Sequence, residues 1–483
     1  VSDKASSDKE LGKKKKKAKD PVYTLEGTSW ASAWKVCAGA GGLGIAVSLG
    51  GLAMDAKRFA FSYLFAFVVF LTVALGSIFF ILINRLTSAG WSVTVRRTAE
   101  FFGAGLVIFP VLFVPVLLSM GNLFPWWNGG HGEEHAAIAI VGEAKAAQHG
   151  GEHAAPAGSA PAAPAAAAEH GAAPAAGHGE AGKAEAHEGG HAAGHQDPHH
   201  VAHAQVLHAK SFFFEKPFFL ARAAAYLLIW CWLGWGFLRV STRQDTTKDP
   251  KDTLAAQRMS PLAAWAFGLT LTFSMFDWVM SLDPAWFSTI FGVYLFSCSA
   301  VSAMAVLIFV TMSLKEAGPL KDVVNVEHFH DMGKLLFGFN GFWAYIGFSQ
   351  YMLIWYAGLP EETTFYHARG LGPAEGSWRI ISVGLMVAHF IIPFFMLISR
   401  HAKRNLGVLK MGTVWLFAVH ILDIYWFVLP NYTKELAPHW LDVTCLLGVG
   451  GIYLATVFYF MGKHQLIPVG DPRLKRALAF EQV

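Results

Sequence analysis

Ten apolar runs, each close to the roughly 20 residues a helix needs to cross a bilayer, dominate this 483-residue chain. They lie at 33–53, 60–84, 97–119, 217–239, 258–280, 287–313, 333–357, 376–398, 408–429 and 440–462. A backbone in lipid must satisfy its own polar groups, and helices do this segment by segment. The expected fold is therefore an all-α integral membrane protein with about ten transmembrane helices. Composition agrees, because only 15% of residues are charged, against roughly 25% in a soluble globular protein. The 39 Phe and 17 Trp suit a lipid-facing wall with interfacial belts.

The runs divide the chain into a basic tail (1–30), three spans (31–119), a long loop (120–216), seven spans (217–465) and a C-terminal tail (466–483). The first run is the least apolar and carries Lys35; its Gly39, Gly42, Gly50 and Gly51 would let a neighbouring helix approach closely. A basic segment before an apolar one also suits a signal peptide, but no convincing cleavage site follows. Lys and Arg set the orientation. With the N-terminus inside, the inner segments hold 27 of them, against Lys57, Arg58, Arg369, Arg379 and Lys434 in the short outer loops. Both termini are thus expected on the cytoplasmic side. The run Lys13–Lys17 reads as a topology anchor that anionic headgroups would attract. Between His131 and His208 the loop is a mixture of Ala, Gly, Pro and His with 13 of the 21 histidines. That composition predicts no packed core, and its irregular spacings (His149, His153, His170, His178) give metal binding little support.

Several chemistries are excluded from the sequence. Cys37, Cys231, Cys298 and Cys445 each stand alone in an apolar run, so no ligand set for an iron–sulfur cluster or c-type haem exists. No phosphate-binding glycine motif follows a strand, and no nucleic-acid partner is implied. No metal site is expected.

Ionisable residues inside spans mark candidate function, since each costs about 2.5–3.5 kcal/mol at the bilayer centre. His389 falls near the middle of the eighth run and His420 near the middle of the ninth, with Asp423 one turn outward. Asp277 lies near the outer end of the fifth, and Asp283 and Asp442 at the outer interface. His420 and Asp423 are three apart and share a helix face, where a carboxylate beside an imidazole can hold one mobile proton. Pro393 has no N–H for the carbonyl of His389. Asn340, Tyr345, Ser349, Gln350, Tyr351 and Tyr356 supply neutral hydrogen-bonding groups in the seventh run. Glu327, His328, His330, Asp331 and Lys334 sit at its inner mouth as entrance candidates. Together they sketch a proton relay towards Asp423 and Asp277. The plain alternative is interhelical hydrogen bonds that hold the bundle together, worth about 0.6 kcal/mol each. Axial haem ligation by His389 and His420 is a further alternative.

Two blocks carry a resemblance. One is Phe276-Asp277-Trp278-Val279-Met280-Ser281-Leu282-Asp283-Pro284-Ala285-Trp286, running on to Ile290. The other starts at Asp331-Met332-Gly333-Lys334 and continues through Phe342-Trp343-Ala344-Tyr345 and Ser349-Gln350-Tyr351 to Leu359-Pro360-Glu361-Glu362-Thr363. They resemble the second NrfD-like membrane subunit of bacterial alternative complex III, a quinol:cytochrome c oxidoreductase, over roughly residues 30–465. The resemblance implies a fold related to the polysulfide reductase membrane subunit (PsrC-like), with paired four-helix bundles and two additional helices, in the bacterial inner membrane. It implies as partners a multihaem cytochrome c subunit, an iron–sulfur subunit, a sister NrfD-like subunit, small membrane subunits and, in some complexes, a terminal oxidase. Haem c and iron–sulfur clusters would then belong to partners, with no redox cofactor on this chain. Quinol and lipids are the small-molecule partners; no quinone-binding residue is assigned. Two other readings remain open: a lipid- or quinone-holding scaffold without proton conduction, in which Trp343, Phe348 and Tyr351 line a lateral pocket, and a standalone proton-coupled transporter.

Overall fold

The computed structural model describes residues 23–128, 206–373 and 376–481. The polylysine run and nearly all of the His-rich stretch lie outside them, as do the lipid-anchor and metal readings made there. Among the described residues all regular secondary structure is helical. The long helices are α1 (Ser29–Met54), α2 (Ala56–Leu86), α3 (Val93–Leu118), α4 (Lys216–Thr247), α5 (Pro250–Leu282) and α6 (Phe291–Glu316). They continue with α7 (Val326–Ala357), α8 (Trp378–Leu397), α9 (Leu406–Asn431) and α10 (Trp440–Lys463). Among the described residues, nine are long and apolar enough to cross a membrane. The tenth, α7, is 32 residues long; Asn340, Ser349, Gln350 and its tyrosines lower its hydropathy.

Helices outlast the apolar runs that announce them. The run at 217–239 becomes a helix to Thr247, because Arg239, Arg243 and Asp245 extend it without breaking its geometry. Lys248, in the left-handed region at φ 52°, ends it. Asp249 then caps α5 by accepting the N–H of Lys251 at 2.9 Å, with Pro250 at the first helical position, where no N–H is missed. Helix α3 starts at Val93, four residues before its apolar run. It loses α-geometry at Gly105–Ile108 and proceeds in short turns opened by Pro110 and Pro115. The loop ascribed to 120–216 is helical at its start, in Met120–Leu123 and Pro125–Asn128.

Helix α2 is the hub, packing against α3, α5, α6, α9 and α10. Contacts run in series from α2 to α3, α4, α5 and back to α2, and again from α6 to α7, α8, α9 and back to α6. Helix α1 rides on α10 through glycine. A Cβ on Gly44 would lie 2.5 Å from the Gly448 nitrogen, and one on Gly41 2.6 Å from the Ile452 nitrogen. Close approach was expected of Gly39, Gly42, Gly50 and Gly51; only Gly51 is at the contact, and the other three meet nothing. The small-residue reading was right for the helix and wrong for its face. The segment before α1 meets the segment after α10: Tyr23 donates to Gln465 at 2.8 Å, and Leu466 donates to the Tyr23 carbonyl at 2.8 Å.

Candidate functional site

Seven carboxylates are buried among the described residues, and the nature of their partners separates one from the rest. Glu100, Asp252, Asp277, Asp331, Asp442 and Asp471 each pair with an Arg or Lys. Asp423, fully buried on α9, has as its only basic neighbour within 4 Å the His389 imidazole, with Nδ1 3.6 Å from Oδ2.

Three other helices build the rest of this site. Trp343 of α7 donates its indole N–H to Asp423 Oδ2 at 2.9 Å, and Cys298 of α6 points its thiol at the same oxygen at 3.1 Å. The Trp343 ring stacks on His389, with centroids 3.7 Å apart and planes at 26°. One turn before Asp423 on α9, His420 Nε2 lies 3.0 Å from Thr72 Oγ1 of α2. The Thr72 hydroxyl donates to the carbonyls of Val68 and Val69, so it accepts from His420, which places the histidine proton on Nε2. The two imidazoles are close enough to act on each other electrostatically. Four polar atoms then have no partner among the described residues: Asp423 Oδ1, both nitrogens of His389, and His420 Nδ1. In a dry interior each such group costs about 1–3 kcal/mol, and bridging waters are the usual remedy.

The backbone at His389 is altered. Met386–Ile391 form a π-turn within α8, a feature frequent at functional sites. Pro393 was expected to free the carbonyl of residue 389. In the wider register the orphaned carbonyl is five residues back, at Ala388, and Trp415 of α9 satisfies it at 2.7 Å. The π-turn thus lies at the residue that faces Asp423.

Asp277, proposed for the same relay, is held elsewhere. Arg222 of α4 grips it with two prongs, at 2.9 and 2.7 Å, and Tyr226 donates to it at 2.8 Å. The Arg222 guanidinium stacks on Phe213 and Phe218 at 3.9 and 4.3 Å. Asp442 is fixed by Arg58 at 2.5 Å and Ser62 at 2.6 Å. Of the α7 candidates, Tyr345 and Tyr356 face outward and Asn340 and Gln350 are buried. Ser349 is half-buried, and Tyr351 stands edge-on to Tyr366 at 5.1 Å. At the mouth of α7, Glu327 is clamped by Arg404 and Lys334 reaches Asp331 at 2.5 Å. His328 closes a capping box with Asn325, and His330 is buried.

Sequence reasoning passed over four contributors. Cys298 read as an inert thiol and Thr72 was not singled out; neither carries a local signal. Arg222 and Tyr226 share one face of α4 at i and i+4, a spacing that could have drawn attention to them. In the loop between α7 and α8, Arg369 is buried, and among the described residues no carboxylate forms an ion pair with it. It donates to the carbonyls of Trp426, Phe365 and Phe427 at 3.1, 2.8 and 2.9 Å, and burial pushes its guanidinium down to about 9. A groove of about 310 Å3 between α2, α5 and α6 is lined by Phe79, Leu82, Phe267, Leu271 and Phe296 with Thr272 as its one hydroxyl. It suits an acyl or isoprenoid tail. Compared with protein-family models and with curated proteins, the chain matches none.

Proposed function

We propose that this chain is a membrane subunit of a respiratory quinol:cytochrome c, or quinol:terminal oxidase, oxidoreductase, and that the Asp423 site holds and passes protons within it. The observation that carries the proton role is the pairing: Asp423 alone among the buried carboxylates of the described residues answers to an imidazole rather than a fixed cation. An Arg-paired carboxylate stays ionised, whereas a carboxylate facing an imidazole can exchange a proton with it. The unpartnered atoms on Asp423, His389 and His420 leave donor and acceptor positions that waters would link into a wire.

The wider assignment rests on the motif blocks and on architecture. Contact rings α2–α5 and α6–α9, with α1 and α10 beside them, support a PsrC-like pair of four-helix bundles. The meeting of the segments that flank α1 and α10, together with the Lys and Arg bias, supports both termini on the cytoplasmic side. Electrons from quinol would leave through haem and iron–sulfur centres of the partner subunits, and the released protons are what this chain would handle. Moving one charge across the membrane stores about 2.3 kcal/mol per 100 mV, so such a path must be gated; rotation of His389 about its π-turn is a local means. The complex, reconstituted in vesicles with Asp423→Asn, is expected to oxidise quinol with a lower proton-to-electron ratio. An unchanged ratio with impaired assembly would favour the scaffold reading instead.

A further inference from the structure

Where the ends of α2 and α3 meet the segment after α10, buried arginines outnumber their acceptors. Arg85 is 1% exposed and Arg96 0%. Arg85 Nη2 reaches Glu100 Oε1 at 3.2 Å, while its Nε and Nη1 have no hydrogen-bond partner among the described residues. Arg96 donates to Glu100 at 3.1 Å and to Asp471 at 2.8 Å, and its Nη1 has none. Arg473 lies 3.5 Å from Asp471, and its Nη2 is also buried without a partner. Ser92 stands at the N-cap of α3 yet makes no capping bond, and its hydroxyl is free and fully buried.

These groups converge. Ser92, Arg96 and Glu100 follow one another at four-residue spacing and so share a face of α3. Arg85 bonds Glu100 on that face, and Arg96 and Arg473 both act on Arg85 electrostatically. Three guanidinium charges meet the two carboxylates of Glu100 and Asp471. Arg97 alongside also faces Glu100, its Nε 3.1 Å from Oε2, and Asp245 holds it with two prongs at 2.8 and 3.0 Å, so among the described residues four guanidiniums meet three carboxylates. Among the described residues, one positive charge and four open N–H-bearing nitrogens remain in this largely buried place. A water molecule could accept from two donors but would leave the charge uncompensated, and buried charge is retained when paired.

We propose that this cluster binds one small monovalent inorganic anion of halide size, seated between Arg85, Arg96, Arg473 and the Ser92 hydroxyl. Entry is from the Arg473 side, where the side chain is 19% exposed. The bound ion ties the segment after α10 to the start of α3. This site is separate from Asp423 and stands or falls independently of the proton reading.

The test uses the full chain in detergent at constant ionic strength, with chloride exchanged for gluconate. Chloride-35 resonance should broaden with protein, and the thermal midpoint should rise saturably with chloride. Arg473→Gln, at the partly open edge, should weaken binding about tenfold, and Ser92→Ala should weaken it less. Equal midpoints in chloride and gluconate with no broadening would overturn the proposal and leave waters in the cluster. Broadening that persists unchanged in both variants would mean an adventitious ion only, and would equally overturn it.

Discussion

At the residue scale, the same amino acid serves different ends according to its partner. Asp277 and Asp423 are both buried acids on membrane helices, and the sequence placed them in one relay. Arg222 converts Asp277 into half of an ion pair. Removing one partner of such a pair typically costs about 3–5 kcal/mol, so Arg222→Gln should lower unfolding stability by that order, measured by thermal or denaturant unfolding in detergent. Asp423→Asn should cost far less, because it removes no cation's partner. Asp471 gives a pH signature. Burial alone would raise its carboxyl, but Arg96 and Arg473 hold it below the usual carboxylate range. Its stabilisation is therefore complete above the unfolded value of about 3.9 and is lost as pH falls through the lower folded value. Unfolding midpoints between pH 7 and 3 should drop at the acid end, and Asp471→Asn should flatten that drop.

At the element scale, helix existence was legible from apolar runs because length alone decides what crosses a bilayer. Helix ends were not. Arg96 and Arg97 read as charges flanking a span, yet they lie buried inside α3, where Glu100, Asp471 and Asp245 receive them. Those acids are near in space, and two are distant in sequence. The proline in α8 was legible as an anomaly, but the π-turn moved the orphaned carbonyl by one residue. Trp415→Phe removes the indole that satisfies Ala388 and should cost about 1–3 kcal/mol, seen as a lower melting temperature. Helix α1 depends on glycine for its seat. Gly44→Leu would drive a Cβ to 2.5 Å from backbone and should release α1 from α10. Cysteines at Ser48 and Thr444, whose hydroxyls are 2.9 Å apart, should cross-link in the parent chain and fail to do so in Gly44→Leu.

At the scale of the whole molecule, the nine apolar helices and the 32-residue α7 of the described residues make an all-helical membrane architecture. Among the described residues, the one buried carboxylate facing imidazole rather than a fixed cation sits where α6, α7, α8 and α9 adjoin. The sequence made His389, His420 and Asp423 visible individually, since polar residues are conspicuous in apolar runs. Their meeting with Trp343 and Cys298 was not visible, because those partners come from separate spans and only packing brings them together. The most direct test of the proton role is the number of protons moved per electron. The chain, purified with its native partners and sealed into vesicles, would be driven with quinol while external pH is recorded. The Asp423→Asn complex is predicted to keep electron transfer and move fewer protons per electron than the parent. An identical ratio in a fully assembled complex would contradict the account.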